Sequence, residues 1–176
     1  MRILGCDPGV NGAIALITEQ GRFVTVHDMP TMLANKTGNK QQINVAELAR
    51  ILRTMVLENP ELSAVMERVT AMPSVPGAGG ERRGMGAASA FSFGKSVGHI
   101  EAVLAALAIP VEFVTPAQWK RAMNLDREKE AARAMGQAIF PDAPLGLKKH
   151  AGRAEALLMA KWYADRNRPR VDGVPF

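Results

Sequence analysis

Apolar residues in this chain recur first in short runs and later at helical spacing. Residues 2–6, 12–18 and 22–28 read as three strands, and Glu19-Gln20-Gly21 joins the second to the third as a hairpin. Pro8-Gly9 and Asn11-Gly12 supply turn chemistry between the first two. Residues 30–42 are polar, with Asn and Gly, and read as a surface loop. From Val45 to Leu57 apolar residues fall at 45, 48, 51, 52 and 56, a helical period, and Asn59-Pro60 ends that helix. Leu62 to Met66 reads as a fourth strand.

Thr70 to Ala88 is rich in Gly, Pro and Ala and contains Glu81-Arg82-Arg83-Gly84-Met85-Gly86. Connections of this length tend to carry function or to move. Ser89 to Leu107 reads as a helix with Ser89 as its cap, and Val111 to Val114 as a short strand. Thr115-Pro116 is a cap followed by proline at the first helical position, opening a helix through Met123. A further helix runs from Asp126 to about Ile139, residues 140–144 form a loop, and a last helix spans His150 to about Asp165. The order predicts an α/β fold: a mixed five-stranded sheet with helices on both faces. Residues 1–166 are expected to form one domain and 167–176 a flexible tail.

Composition narrows the class. Of the 176 residues, 47% are hydrophobic, which suits a packed core rather than a disordered chain. Cys6 is the single cysteine, so neither an internal disulfide nor a cysteine-only zinc site exists, and a reducing cytosol is the natural setting. Cys6 lies in the first strand and reads as core filler. No apolar run reaches 18 residues and no signal-peptide stretch opens the chain, so a cytoplasmic protein without a membrane partner is expected. The net charge of +5 suits a polyanion, although ordinary surface solvation explains it equally well.

Three acids change the picture. Asp7 closes the first strand at a Pro-Gly turn, Glu67 closes the fourth, and Glu155 lies among Ala154, Ala156, Leu157 and Leu158 on the last helix. Carboxylates on buried elements are costly without a counter-charge. If the first and fourth strands are parallel neighbours, Asp7 and Glu67 meet at one rim of the sheet, where open α/β sheets place their sites. The counter-charge is either a metal or a buried ion pair with Arg68 or Arg153. Oxygen-only ligands favour Mg²⁺ or Mn²⁺ over zinc, and two ions roughly 4 Å apart suit phosphodiester hydrolysis. His27, His99 and His150 share no metal-binding spacing; His150 stands out because it precedes Glu155 near the start of the same helix.

The ordered set Asp7-Pro8-Gly9, strand-end Glu67, Ser89-Ala90-Phe91-Ser92-Phe93-Gly94 and Gly152-Arg153-Ala154-Glu155-Ala156-Leu157-Leu158 resembles the RuvC family of Holliday junction resolvases, above all its phage and prophage branch. The resemblance runs from Met1 to about Ala164. It implies an RNase H-like fold, a homodimer, and paired nicks of like-polarity strands in a four-way DNA junction. It further implies hydrolysis by metal-activated water, leaving 5′-phosphate and 3′-hydroxyl ends. Asp7 would bridge two Mg²⁺ or Mn²⁺ ions, and Glu67 and Glu155 would each hold one.

The family also implies a fourth ligand, acid or histidine, one helical turn before the last acid. Here Ala151 and Gly152 occupy that stretch, and Ala151 shares a helix face with Glu155. Three readings compete: His150 substitutes, water fills the position, or Ala151 is an engineered replacement that traps an uncleaved complex. The last is favoured, because Asp or His at 151 completes the pattern.

An acidic pocket repels DNA, so phosphate contacts must come from basic residues around it. The candidates are Arg82 and Arg83 in the glycine-rich stretch, Lys95 after the Phe-x-Phe-Gly run, Lys120 and Arg121 after Trp119, Lys129, and Lys148, Lys149 and Arg153 beside the last acid. Each alone reads first as a solvated surface charge, whereas as clusters flanking the site elements they read as phosphate contacts. The resemblance implies scissile-strand phosphate contacts for Lys120 and Lys129. Phe91 and Phe93 point to different helix faces, so one suits the core and the other a stacked, unpaired base. The small residues of helix 89–107 suit either a two-fold dimer or ordinary packing. Rival readings are a sugar-kinase or actin-like ATPase, for which the chain is too short and lacks a second phosphate loop, a junction binder without catalysis, and a nuclease of hybrids or branched forks and flaps.

Overall fold

A computed structural model describes residues 1–35, 38–68, 75–76, 82–83, 86–125 and 129–168, with backbone alone at 75–76, 82–83 and Lys129. In chain order the elements are β1 (Arg2–Asp7), β2 (Ala13–Thr18), β3 (Phe23–Asp28), β4 (Thr31–Leu33), β5 (Gln41–Ile43), α1 (Val45–Glu58) and β6 (Leu62–Glu67). There follow β7 (Val75–Pro76), β8 (Arg82–Arg83), α2 (Ala87–Ala106), β9 (Val111–Val114), α3 (Pro116–Ala122), α4 (Lys129–Ile139), a 3₁₀ turn (Lys148–His150) and α5 (Ala151–Arg166). The main sheet has five strands in the order β3-β2-β1-β6-β9. β1 pairs antiparallel with β2, and β2 with β3, while β1–β6 and β6–β9 are parallel.

The two-residue period of the strands sorts the core into two layers. Leu4, Cys6, Ile14, Leu16, Ala64 and Met66 face α1 and α2. Ile3, Ala13, Ala15, Ile17 and Val65 face the other way, packing with α5 and residues of α3 and α4. That second layer is thin because α5 lies directly on β1. A Cβ at Gly5 would overlap the Ala156 carbonyl oxygen, so only glycine fits the crossing. Ala154, Ala156, Ala160 and Ala164 are fully or almost fully buried and keep the helix close. α5 is therefore buried nearly all round, which accounts for its weak apolar patterning.

Several sequence expectations change. Residues 30–42 do not remain a plain loop: β4 and β5 pair antiparallel, Thr31 with Ile43 and Leu33 with Gln41. The hairpin stays polar because only its base is buried, at Met29 and Ile43. α2 starts at Ala87, two residues before Ser89, from Gly86 and with no side-chain cap. His150 closes the 3₁₀ turn instead of opening the last helix. α3 begins as expected, with a Thr115–Gln118 capping box. The expected helix start at Asp126, and most of 70–85 and of the tail, lie outside the described residues. Among the described residues no helix is long and apolar enough to cross a membrane.

Candidate active site

The register of the sheet brings the acids together. Cys6 pairs with Met66 in the parallel β1–β6 ladder, so Asp7 and Glu67 are the next residues of neighbouring strands. Both continue the odd-numbered face of Ile3 and Val65, the face covered by α5. Glu155 comes down onto it from α5, whose side chain is 15% exposed. The three acids thus share one rim and one face.

Within that rim they occupy two adjoining places. Asp7 and Glu155 line a cleft of about 460 Å³ with the Pro8–Gly12 turn, Phe93, Lys148, Lys149, Ala151 and Gly152. Gly9 shapes the turn at φ +131°, a conformation that favours glycine. Gly152 is pressed against the turn: an added Cβ would stand 2.6 Å from the Asn11 carbonyl oxygen and 3.0 Å from Asp7 Oδ2. Glu67 is held beside the cleft, where Trp119 Nε1 donates to its Oε2 at 3.2 Å.

The cation paired with Glu155 is Lys120. Its Nζ donates to Glu155 Oε1 at 2.6 Å and lies 5.2 Å from the centre of the Trp119 ring. The expected partners are engaged elsewhere. Arg153 forms a two-pronged pair with Asp28, at 2.5 and 2.7 Å, and also donates to the Pro144 carbonyl. Arg68 lies over the Phe113 ring. Burial, with the nearby charge of Glu155, holds the Glu67 carboxyl above its ordinary range, against the opposing pull of Trp119 and Lys120. Burial, reinforced by Asp7, pushes the Cys6 thiol far up, so this cysteine is an inert core residue.

Lys148 and Lys149 line the cleft. Phe93 is half-buried between the cleft and a neighbouring groove, whereas Phe91 is 75% exposed. Lys95 and Arg121 are exposed, on α2 and α3. His150 is buried and outside the cleft lining, its Nδ1 accepting the Leu147 N–H at 3.2 Å. Burial, then Arg153, hold its pKa below the ordinary histidine value. Arg82 and Arg83 form β8, paired with β7, but their side chains, like that of Lys129, lie outside the described residues. The sequence reads Trp119 as core or helix packing, and it is fully buried; its bond to Glu67 is an addition that the sequence pattern does not show. The Thr-Pro-x-Gln start of α3 was the available signal, because it fixes where Trp119 and Lys120 stand.

Among the described residues, no three His, Cys, Asp or Glu side chains are grouped closely enough to hold a metal ion where they stand. The donor chemistry nevertheless fits a hard divalent cation: the acids offer oxygen alone, and an ammonium already stands on one of them.

No protein-family model and no curated protein sequence matches the chain. Solved structures do. RuvC of T. thermophilus, in complex with Holliday junction substrate, superposes with a TM-score of 0.60 over 95% of this chain and 97% of that one, at 18% identity. A further Thermus thermophilus RuvC structure gives 0.53 over 96% of each, at 17% identity. The fold is that of RuvC. The five-stranded mixed sheet and its flanking helices are RNase H-like, as expected from the sequence. At this identity the likeness to RuvC establishes architecture alone.

Proposed function

We propose that this chain is a metal-dependent endonuclease that resolves four-way DNA junctions by paired nicks in strands of like polarity. The observation that carries the reading is that Asp7, Glu67 and Glu155 lie on one face and rim of a RuvC-type sheet, with the Lys120 ammonium on Glu155. Asp7 and Glu155 would hold Mg²⁺ or Mn²⁺ from the cleft, and Glu67 from its edge. Bound there, such ions lower the pKa of water and offset charge on the leaving oxygen.

The chain's own residues do the rest. The Pro8–Gly12 turn carries no bulky side chain at Gly9 or Gly12, so a phosphodiester can approach Asp7 closely. Lys148 and Lys149 supply positive charge at the cleft wall. Trp119 orients Glu67, and Lys120 orients Glu155. Resolution in two symmetric strands calls for two sites, hence a homodimer. Gly94 and Gly98 of α2 have open space where a Cβ would stand, which supports that helix as the face for a second copy. Work on DNA of this kind belongs in the cytoplasm of a bacterium or of a phage-infected cell.

A second reading, a junction binder with weakened catalysis, is favoured by one observation: Ala151 lines the cleft with no donor group. The test is cleavage of a labelled four-way junction in Mg²⁺ and in Mn²⁺, beside fork, flap and RNA–DNA hybrid substrates, with Asp7→Asn as control. Symmetric nicks in the junction, absent with Asp7→Asn, are expected. Binding without nicks in either metal selects the binder, and preference for the hybrid overturns both.

A further inference from the structure

A second groove opens beside the cleft, between the β4–β5 hairpin and the first half of α2. It encloses about 470 Å³, and Lys40, Gln42, Phe91, Phe93, Lys95 and His99 are among its walls. Val10 and Phe93 line both this groove and the cleft that holds Asp7, so the two run into one another. No Asp or Glu is among the described residues that line it. Lys40 Nζ donates to Ser92 Oγ at 2.6 Å, and Lys95 Nζ reaches Gln42 Oε1 at 3.5 Å, so two ammonium groups sit over the groove with only neutral partners shown. Phe91 stands at its lip, 75% exposed, although a large aromatic side chain is costly to leave in water.

We infer that this groove holds an unpaired stretch of DNA strand leading to or from the scissile phosphate. Lys40 and Lys95 take phosphates, and Phe91 offers its ring to a base. Positive charge lined up with an aromatic platform is the combination that single strands require. An exposed ring beside the ammonium groups suits one unpaired strand rather than a duplex, whose bases are already stacked on one another. The β4–β5 hairpin is thus the second wall of the strand's path, a role that its polar sequence gave no reason to expect. The inference rests on the nuclease reading of the adjoining cleft, and its test is separable from that reading.

The test uses the full chain carrying Asp7→Asn. Labelled oligothymidine and a four-way junction are titrated across roughly 50 to 200 mM salt. Lys40→Ala with Lys95→Ala is expected to weaken oligothymidine binding roughly tenfold and to flatten the slope of log K against log salt by about 1.4, two single-strand phosphate contacts. Lys40→Arg with Lys95→Arg keeps the slope. Phe91→Ala weakens binding roughly tenfold with the slope unchanged, because stacking releases no counterions. If the alanine pair melts early, Lys95→Ala alone, at a lysine with one long contact, is expected to flatten the slope by about 0.7, one single-strand phosphate contact. Wild-type affinity and slope in these variants would overturn the groove. Failure of the nuclease reading looks different: the chain with Asp7 intact then leaves the junction uncut in Mg²⁺ and in Mn²⁺, while the oligothymidine slopes still respond to Lys40 and Lys95.

Discussion

The ammonium of Lys120 lies 2.6 Å from Glu155 Oε1, with the two side chains 21% and 15% exposed. The residue before it, Trp119, holds Glu67 by its indole N–H. Two consecutive residues of α3 therefore restrain two of the three acids, one by charge and one by a neutral hydrogen bond. A divalent ion on Glu155 competes with that ammonium: on Oε1 it displaces Lys120, and on Oε2 it meets a like charge on the same carboxylate.

Lys120→Met is accordingly expected to raise Mn²⁺ affinity in the absence of DNA. A partly exposed ion pair is worth on the order of 1 kcal/mol, which corresponds to roughly fivefold in affinity. Calorimetric titration of both proteins with Mn²⁺ measures it. Junction cleavage moves the other way, falling, if the displaced ammonium serves a phosphate. Unchanged Mn²⁺ affinity would mean that Lys120 is a bystander to cation binding.

Gly152 is fixed by contact rather than by backbone angle. An added Cβ meets the Asn11 carbonyl oxygen, Asp7 Oδ2 and Gly12 Cα within 2.6–3.0 Å, and backbone cannot yield cheaply there. Gly152→Ala should cost about 1–3 kcal/mol, the usual range for overpacking. Thermal unfolding is expected to show a lower midpoint, and junction cleavage to fall further than the melting shift explains, because Asp7 is displaced. A variant with native stability and activity would show that α5 can slide away from the turn.

The Asp28–Arg153 pair sets a pH dependence. Arg153's hydrogen bonds hold the Asp28 carboxyl below its usual range, so the folded state prefers the ionised form. This contribution is complete above the unfolded carboxylate pKa and is lost as pH falls through the lower, folded value. Asp28 is 55% exposed, so the pair is discounted to about 0.5–1 kcal/mol. Asp28→Asn should therefore lower the melting midpoint by about 1–4 °C at neutral pH and by nothing once both states are protonated. A difference that persists in strong acid would assign the effect to packing instead.

The sheet was legible because its strands carry their own signals: aliphatic runs, a hairpin turn at Gly21, and acids placed at strand ends. The position of Asp7 beside Glu67 followed from one assumption, parallel pairing of β1 with β6, which the register bears out. The pairing of charges was not legible. Arg153 sits two residues before Glu155 and looks like its partner, yet on a helix those positions point apart, and Arg153 reaches across to Asp28 at the end of β3. Lys120 reaches Glu155 across 35 positions, a contact set by how α3 packs on α5 and by nothing local. The β4–β5 hairpin was missed for a related reason: its strands are three residues each, and polar, so no periodicity develops.

Ala151 lines the cleft with Asp7 and Glu155, four residues before Glu155 on the same helix. A carboxylate there would project toward the shared cleft and add a third acidic donor to its lining. Ala151→Asp is expected to tighten Mn²⁺ binding by roughly tenfold and to raise Mg²⁺-dependent junction cleavage at least as much. The same change adds negative charge beside Asp7, so without divalent ion it should lower the melting midpoint and make that midpoint rise more steeply with added Mg²⁺. Paired melting curves with and without Mg²⁺ separate a true ligand from a surface acid. If Ala151→Asp leaves Mn²⁺ affinity, the Mg²⁺-dependent melting shift and cleavage all unchanged, position 151 has no part in holding a cation and the site works with the acids it already has.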